Sequence, residues 1–169
     1  MRKKSHILLG RYLADQMSEV YSLQQHRKAF CLGNIMPDLK PSFLTTRHEF
    51  FGTFDYLQNK MRALVEKNPE EENARVYWRR FGEVMHYMAD YFTFPHNKTY
   101  TGTFTQHNHY EKVLKNRLKS CIEQGEAQRY LEPAIHFASF STLIDYIEAT
   151  HEKYLNKLRC VEEDIRFIL

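Results

Sequence analysis

Residues 74–92 read ARVYWRRFGEVMHYMADYF, and this stretch decides the fold. Tyr77, Phe81, Met85, Met88 and Phe92 recur at steps of three and four, which lines one face of a helix. His86 and Asp90 lie four apart in the same stretch, away from that stripe and near Arg79 and Glu83. An imidazole and a carboxylate thus stand one turn apart on a polar face. Two readings are open there: a solvated surface, or the wall of a water-filled groove where the pair holds one cation.

Downstream, past a loop marked by Pro95 and Gly102, residues 106–123 form another helix with Tyr110, Val113, Leu114, Leu118 and Cys121 facing inward. His107 and Glu111 repeat the four-residue spacing, but on the apolar side, in line with Leu114 and Leu118. A carboxylate on a buried stripe is costly unless it is paired, so Glu111 demands a cationic partner, either a metal or a His or Arg side chain. His109 points the other way. A last long helix covers 139–158.

Upstream, a helix over 54–67 stops at Asn68 and Pro69. Residues 5–25 carry Leu9, Leu13, Met17 and Val20 at helical spacing, with Ser5 as N-cap and an end near HRKAF, residues 26–30. Between these helices, CLGNIMPDLKPSF (31–43) holds Gly33, Asn34, Pro37 and Pro41, which forbid a continuous helix and predict a stiff loop. Strand signals are scarce. The expected class is all-α, a compact multi-helix single domain over residues 1–169.

Composition agrees. Of 169 residues, 43% are hydrophobic and 14% aromatic, with only 6 Gly and 5 Pro, which suits a helix-rich core. The 24 basic and 21 acidic residues are dispersed and leave a net charge of +3, so a nucleic-acid partner is possible but not favoured. In MRKKSHILLGRY the apolar run is only Ile7 to Leu9, too short for an export signal or a membrane span, and the reading is a cytoplasmic protein without a membrane span. Cys31, Cys121 and Cys160 show no CxxC spacing and read as buried thiols in a reducing compartment.

Further ligand-type residues are scattered along the chain. His6 heads the first helix in line with Leu9 and Leu13, and so points inward, as a ligand or as a hydrogen-bonded core histidine. His48 and His96 lie at loop or helix ends, and Asp38 lies where the Pro/Gly backbone could aim it. Each alone is uninformative. Taken together with the two helical pairs, they form a set of neutral imidazoles and carboxylates that favours zinc. His26 and His136 take no part.

The segments "SH" (5–6), "GNIMPDL" (33–39), "RHEF" (47–50), "HYMADYFTFPHN" (86–97) and "HNHYE" (107–111) resemble, in order and spacing, the zinc-dependent phospholipase C family, to which single-strand-specific nucleases are distantly similar. The resemblance implies a helical fold with a metal-lined cleft holding two or three zinc ions. It implies Asp38, His48, His86 and Asp90 around one zinc, Asp90 bridging to a second that also binds His6, and His96, His107 and Glu111 around a third. Secreted members add a ligand from an N-terminal tryptophan, whereas this chain begins Met1-Arg2-Lys3-Lys4, so the second site is expected to be short of a ligand.

The activity expected from this set is hydrolysis of a phosphate ester by a zinc-activated water, on a small-molecule or lipid-head-group phosphodiester, with Asp38 as ligand and proton acceptor. Two alternatives stand beside it. Glu83 with His86 and Glu148 with His151 match the Glu-x-x-His pairs of carboxylate-bridged di-iron bundles, although His151 lies on an apolar stripe with Ile147 and Tyr154 and is expected in the core. A non-catalytic helical protein stabilised by zinc is the other. Tyr87, Tyr91, Phe92, Phe94 and Tyr100 could stack on bases, but a chain this aromatic places such residues in its core.

Overall fold

The computed structural model describes residues 1–39, 48–67, 73–131 and 133–169, and no strand occurs among them. In chain order the α-helices are α1 (Lys3–Gln16), α2 (Tyr21–Gln25), α3 (Arg27–Gly33), α4 (Phe50–Val65), α5 (Ala74–Tyr91), α6 (Phe104–Glu123), α7 (Phe140–Leu155) and α8 (Val161–Ile168). The class is all-α, as the periodicities predicted. Single 3-10 turns at Pro37–Leu39 and Phe94–His96 sit between helices and matter for the site.

Helix α5 is the central element. Its apolar stripe predicts a polar face for His86 and Asp90, yet their exposures are 0% and 1%. The residues buried along α5 are Trp78, Gly82, Glu83, Val84, His86, Ala89, Asp90 and Tyr91, while Tyr77, Phe81, Met85 and Met88 are only partly covered. Neighbours enclose α5 on several sides, with α3 and α4 packed closely along it, so its second, polar face is interior too.

The α3–α5 crossing is unusually close, and two glycines allow it. A Cβ on Gly82 would stand 2.2 Å from the Phe30 carbonyl oxygen, and one on Gly33 2.0 Å from that of Arg79. No other residue tolerates such backbone contact without separating the helices.

The single first helix expected over 5–25 is instead three. Helix α1 starts two residues before Ser5, which lies buried within it and caps nothing. It ends at Gln16, and Gln24 folds back to donate from Nε2 to the carbonyls of Ala14 (2.8 Å) and Met17 (3.1 Å). Those acceptors belong to the α1 terminus, where carbonyls lack intrahelical partners, so one glutamine side chain stabilises the reversal. Ala14, Leu23, Phe30 and Trp78 then close a small core among α1, α2, α3 and α5. Cys31, Leu32 and Gly33, read as loop, complete α3. Pro41 and the stop at Asn68–Pro69 lie outside the described residues.

Helices α6 and α7 begin with capping boxes, Thr103 with Gln106 and Ser139 with Thr142, each cap contributing about 1 kcal/mol. Along α6, Leu114, Leu118 and Cys121 are fully buried as expected, but Val113 is exposed. Of the thiols only Cys121 is buried, and Cys31 and Cys160 are half-buried; all three are free. Helix α8, which the sequence reading did not place, buries Asp164, Ile165 and Ile168 against the main core. No helix among the described residues is long and apolar enough to cross a membrane.

Candidate metal centre

Six segments deliver the eight singled-out residues to one place. Helix α5 carries His86 and Asp90, α1 carries His6, and α6 carries His107 and Glu111. Asp38 sits in the 3-10 turn Pro37–Leu39, His96 ends the turn Phe94–His96, and His48 lies two residues before α4. Asp90 is the hub. Its Oδ1 lies 3.2 Å from His6 Nε2 and 3.8 Å from His96 Nε2, and its Oδ2 lies 3.1 Å from His48 Nδ1 and 3.3 Å from His86 Nε2.

On one side, Asp38 Oδ1 stands 3.7 Å from His86 Nε2. On the other, Glu111 Oε1 is 3.1 Å from both His96 Nε2 and His107 Nε2. Three groups result in which every potential ligand atom lies within 4.8 Å of the others: His6, Asp38 and His86; His48, His86 and Asp90; His96, His107 and Glu111.

The backbone aims these rings. His86 Nδ1 is 2.8 Å from the Asn34 carbonyl, a contact that places the proton on Nδ1 and leaves the Nε2 lone pair facing the cluster. Asn34 follows Gly33 directly, so the glycine-mediated approach of α3 to α5 brings its carbonyl within reach. Gly10 lets α1 close over the same residue, for a Cβ there would meet the Asn34 side chain at 3.0 Å. The His6 ring stacks on that of His86 with centroids 3.8 Å apart.

Charge and burial favour a bound cation. His6 is fully buried, and neither ring nitrogen makes a hydrogen bond, since Nε2 is near Asp90 but not directed for one. An unsatisfied buried group of this kind costs about 1–3 kcal/mol, a deficit that metal coordination removes. Burial lowers the His6 pKa to about 3 and also lowers that of His96, keeping both imidazoles neutral. Burial works against ionisation of Asp90, but the terminal ammonium and the ring nitrogens that face the carboxylate outweigh it and hold this carboxyl well below the usual range. Glu111 is likewise lowered against its burial, by hydrogen bonds from His107 and His96. Asp38 goes the other way: burial raises it, aided by the charge of Asp90. Neutral imidazoles and ionised carboxylates are the forms that ligate zinc.

The Met1 nitrogen lies in the same place. It donates to Asp90 Oδ1 and stands 2.7 Å from His96 Nε2 and 3.2 Å from Glu111 Oε1. Burial opposes its charge, yet Asp90, Glu111 and Asp38 raise its pKa. The positive charge of this ammonium is held by the carboxylates of Asp90 and Glu111. The sequence predicts neither this nitrogen nor the Asn34 carbonyl at the cluster; for Asn34 the available signal is its place directly after Gly33, with Gly10 and Gly82 inside helical stretches.

Residues set aside lie elsewhere: His109 and His136 are exposed, and His26 is half-buried. Buried His151 stacks on Phe50 at 3.9 Å and hydrogen-bonds Asn97 Oδ1 through Nε2 at 2.9 Å. Glu83 pairs with Lys60 at 2.7 Å, and Glu148 is exposed on α7. None of Glu83, Glu148 and His151 belongs to a group able to hold a metal among the described residues, so the Glu-x-x-His pairs do not converge.

An all-helical frame with three adjoining groups of histidine and carboxylate defines a helical protein with a candidate multi-metal centre. The chain belongs to the zinc-dependent phospholipase C family, whose model matches residues 5–161. No curated protein and no solved structure matches it. Membership implies zinc as the metal, and the donor set fits that ion.

Proposed function

We propose that this protein hydrolyses a phosphate ester, a small-molecule or lipid-head-group phosphodiester, with two or three zinc ions held by His6, Asp38, His48, His86, Asp90, His96, His107 and Glu111. The observation that carries the reading is Asp90, a buried carboxylate within 3.8 Å of nitrogens from four histidines of four different segments. So concentrated a donor set, with orphaned His6 nitrogens inside it, is stabilised by divalent cations and by little else.

Zinc bound there would supply Lewis acidity, lowering the pKa of a water and drawing charge from the phosphoryl oxygens. The chain's own part is to hold the ligands and move the proton. Asn34 fixes the His86 tautomer. Asp38, whose Oδ1 faces His86 Nε2 at 3.7 Å within the cluster, accepts the proton of the attacking water. His96 and His107 are the least covered histidines of the cluster, with side chains 14% and 28% exposed, and mark the side from which a substrate reaches it. The free thiols fit a cytoplasmic site of action.

Elemental mass spectrometry of the purified protein tests the reading together with a phosphodiester assay. Two or three zinc ions per chain, lost in Asp90→Ala together with hydrolysis of bis(p-nitrophenyl) phosphate or a glycerophosphodiester, are expected. Iron in place of zinc, or a zinc-loaded protein inert toward every phosphodiester tried, would sink it.

A further inference from the structure

Asp164 lies on α8, beyond the segment that the family model matches, and has no part in the cluster. It is fully buried, at 0% exposure. Three neutral donors satisfy it. Its Oδ2 accepts the Phe94 backbone N–H (3.1 Å) and the Tyr110 hydroxyl (2.9 Å), and its Oδ1 accepts the Tyr154 hydroxyl (2.6 Å). Burying a carboxyl group is expensive unless its oxygens are hydrogen-bonded, and here three donors from three elements converge on it.

Phe94 opens the 3-10 turn that ends at His96, and Tyr110 immediately precedes Glu111 on the helix that also carries His107. Asp164 therefore ties together the two segments that carry the His96–His107–Glu111 group. Tyr154 ties in α7, which one turn earlier presents His151 to Asn97. Asn97 in turn donates to the carbonyls of Tyr91 (3.1 Å) and Thr93 (3.0 Å), so the turn bearing His96 is pinned on both flanks.

We propose that Asp164 is a positioning residue for the third metal group, setting the spacing between the His96 turn and α6 so that His96, His107 and Glu111 share one ion. The proposal rests on the zinc reading of that group. Outer partners of ligands typically change metal affinity about 10- to 100-fold.

The test is a competition titration of the zinc-loaded full chain with a chromophoric chelator, for wild type, Asp164→Asn, Tyr110→Phe and, as reference, Glu111→Gln. In Glu111→Gln one ion is released outright. In Asp164→Asn the same single ion is expected to weaken about 10- to 100-fold and in Tyr110→Phe by less, with the remaining zinc held as in wild type. Release of no ion from Glu111→Gln overturns the zinc reading of this group. If that variant does lose its ion while folded Asp164→Asn and Tyr110→Phe hold all zinc at wild-type affinity, the positioning role alone fails. Equal weakening of every ion in Asp164→Asn also overturns it, because general loosening is not positioning. Should Asp164→Asn fail to fold, Tyr110→Phe, which loses one hydroxyl and keeps its ring, decides by the same criterion.

Discussion

Asp90 shows what one residue contributes when its surroundings are chosen for it. Four residues after His86 on α5, it has both oxygens shared among imidazoles from α1, the segment before α4, and α5 itself. The helical spacing of this pair was plain in the sequence, and so was the inward direction of His107 and Glu111, because a carboxylate in line with Leu114 and Leu118 stands out. The choice of His107 over its neighbour gives a direct prediction. His107→Ala is expected to lose one zinc ion by elemental mass spectrometry, whereas His109→Ala, altering an exposed side chain, keeps the wild-type content. The base role is tested separately. Asp38→Asn is expected to retain most of its zinc while turnover of a phosphodiester falls about 100- to 10,000-fold, and full activity would remove Asp38 from that role.

At the scale of elements, the α3–α5 crossing governs the site. Gly82 lies one turn before His86 and faces the Phe30 carbonyl at a distance that leaves no room for a methyl group. Gly82→Ala is therefore expected to force α3 outward, destabilising the fold by about 1–3 kcal/mol or more in urea unfolding and weakening zinc through loss of the Asn34 contact to His86. Unchanged stability and zinc affinity would show that the crossing relaxes freely. Sequence periodicity could not reveal this crossing, since it reports which face of a helix is apolar and not how near the next backbone comes. The same limit hid the division of the first helix. Leu9, Leu13, Met17 and Val20 keep helical spacing straight across the break, and the reversal depends on Gln24 reaching back to α1 carbonyls. Helix α8, eight residues long, falls below the length at which periodicity alone is decisive.

The whole molecule integrates these charges, and its stability should respond to metal and to pH. Zinc at about a thousand times its Kd adds about 4 kcal/mol per ion, so a chelator is expected to lower Tm by roughly 10 °C or more, measured by circular dichroism. An unchanged Tm would mean that the purified fold holds no zinc. For pH, Asp164 is informative because burial raises its carboxyl to about 6, against 3.8 for an ordinary aspartate, even though Tyr154, Phe94 and Tyr110 donate to it. A raised folded pKa means that its favourable contribution is complete below 3.8 and is lost as pH rises through about 6. That gap amounts to about 3 kcal/mol. Buried neutral His6 and His151 act oppositely, losing stability as pH falls below the ordinary histidine value of 6.5, so total stability is not diagnostic. The difference between wild type and Asp164→Asn is: in the presence of chelator, wild type should lose Tm relative to the variant between pH 4 and pH 7. Parallel curves would contradict the raised carboxyl. By itself, then, the sequence determined the helical class and the spacing of the two His-carboxylate pairs, because composition and the helical repeat are local properties. Only the tertiary structure decided that these residues meet, that the polar face of α5 is interior, and that Asn34 and Asp164 support the cluster. The contacts responsible join residues 52 and 70 positions apart, and they depend on backbone approach and burial that no local pattern records.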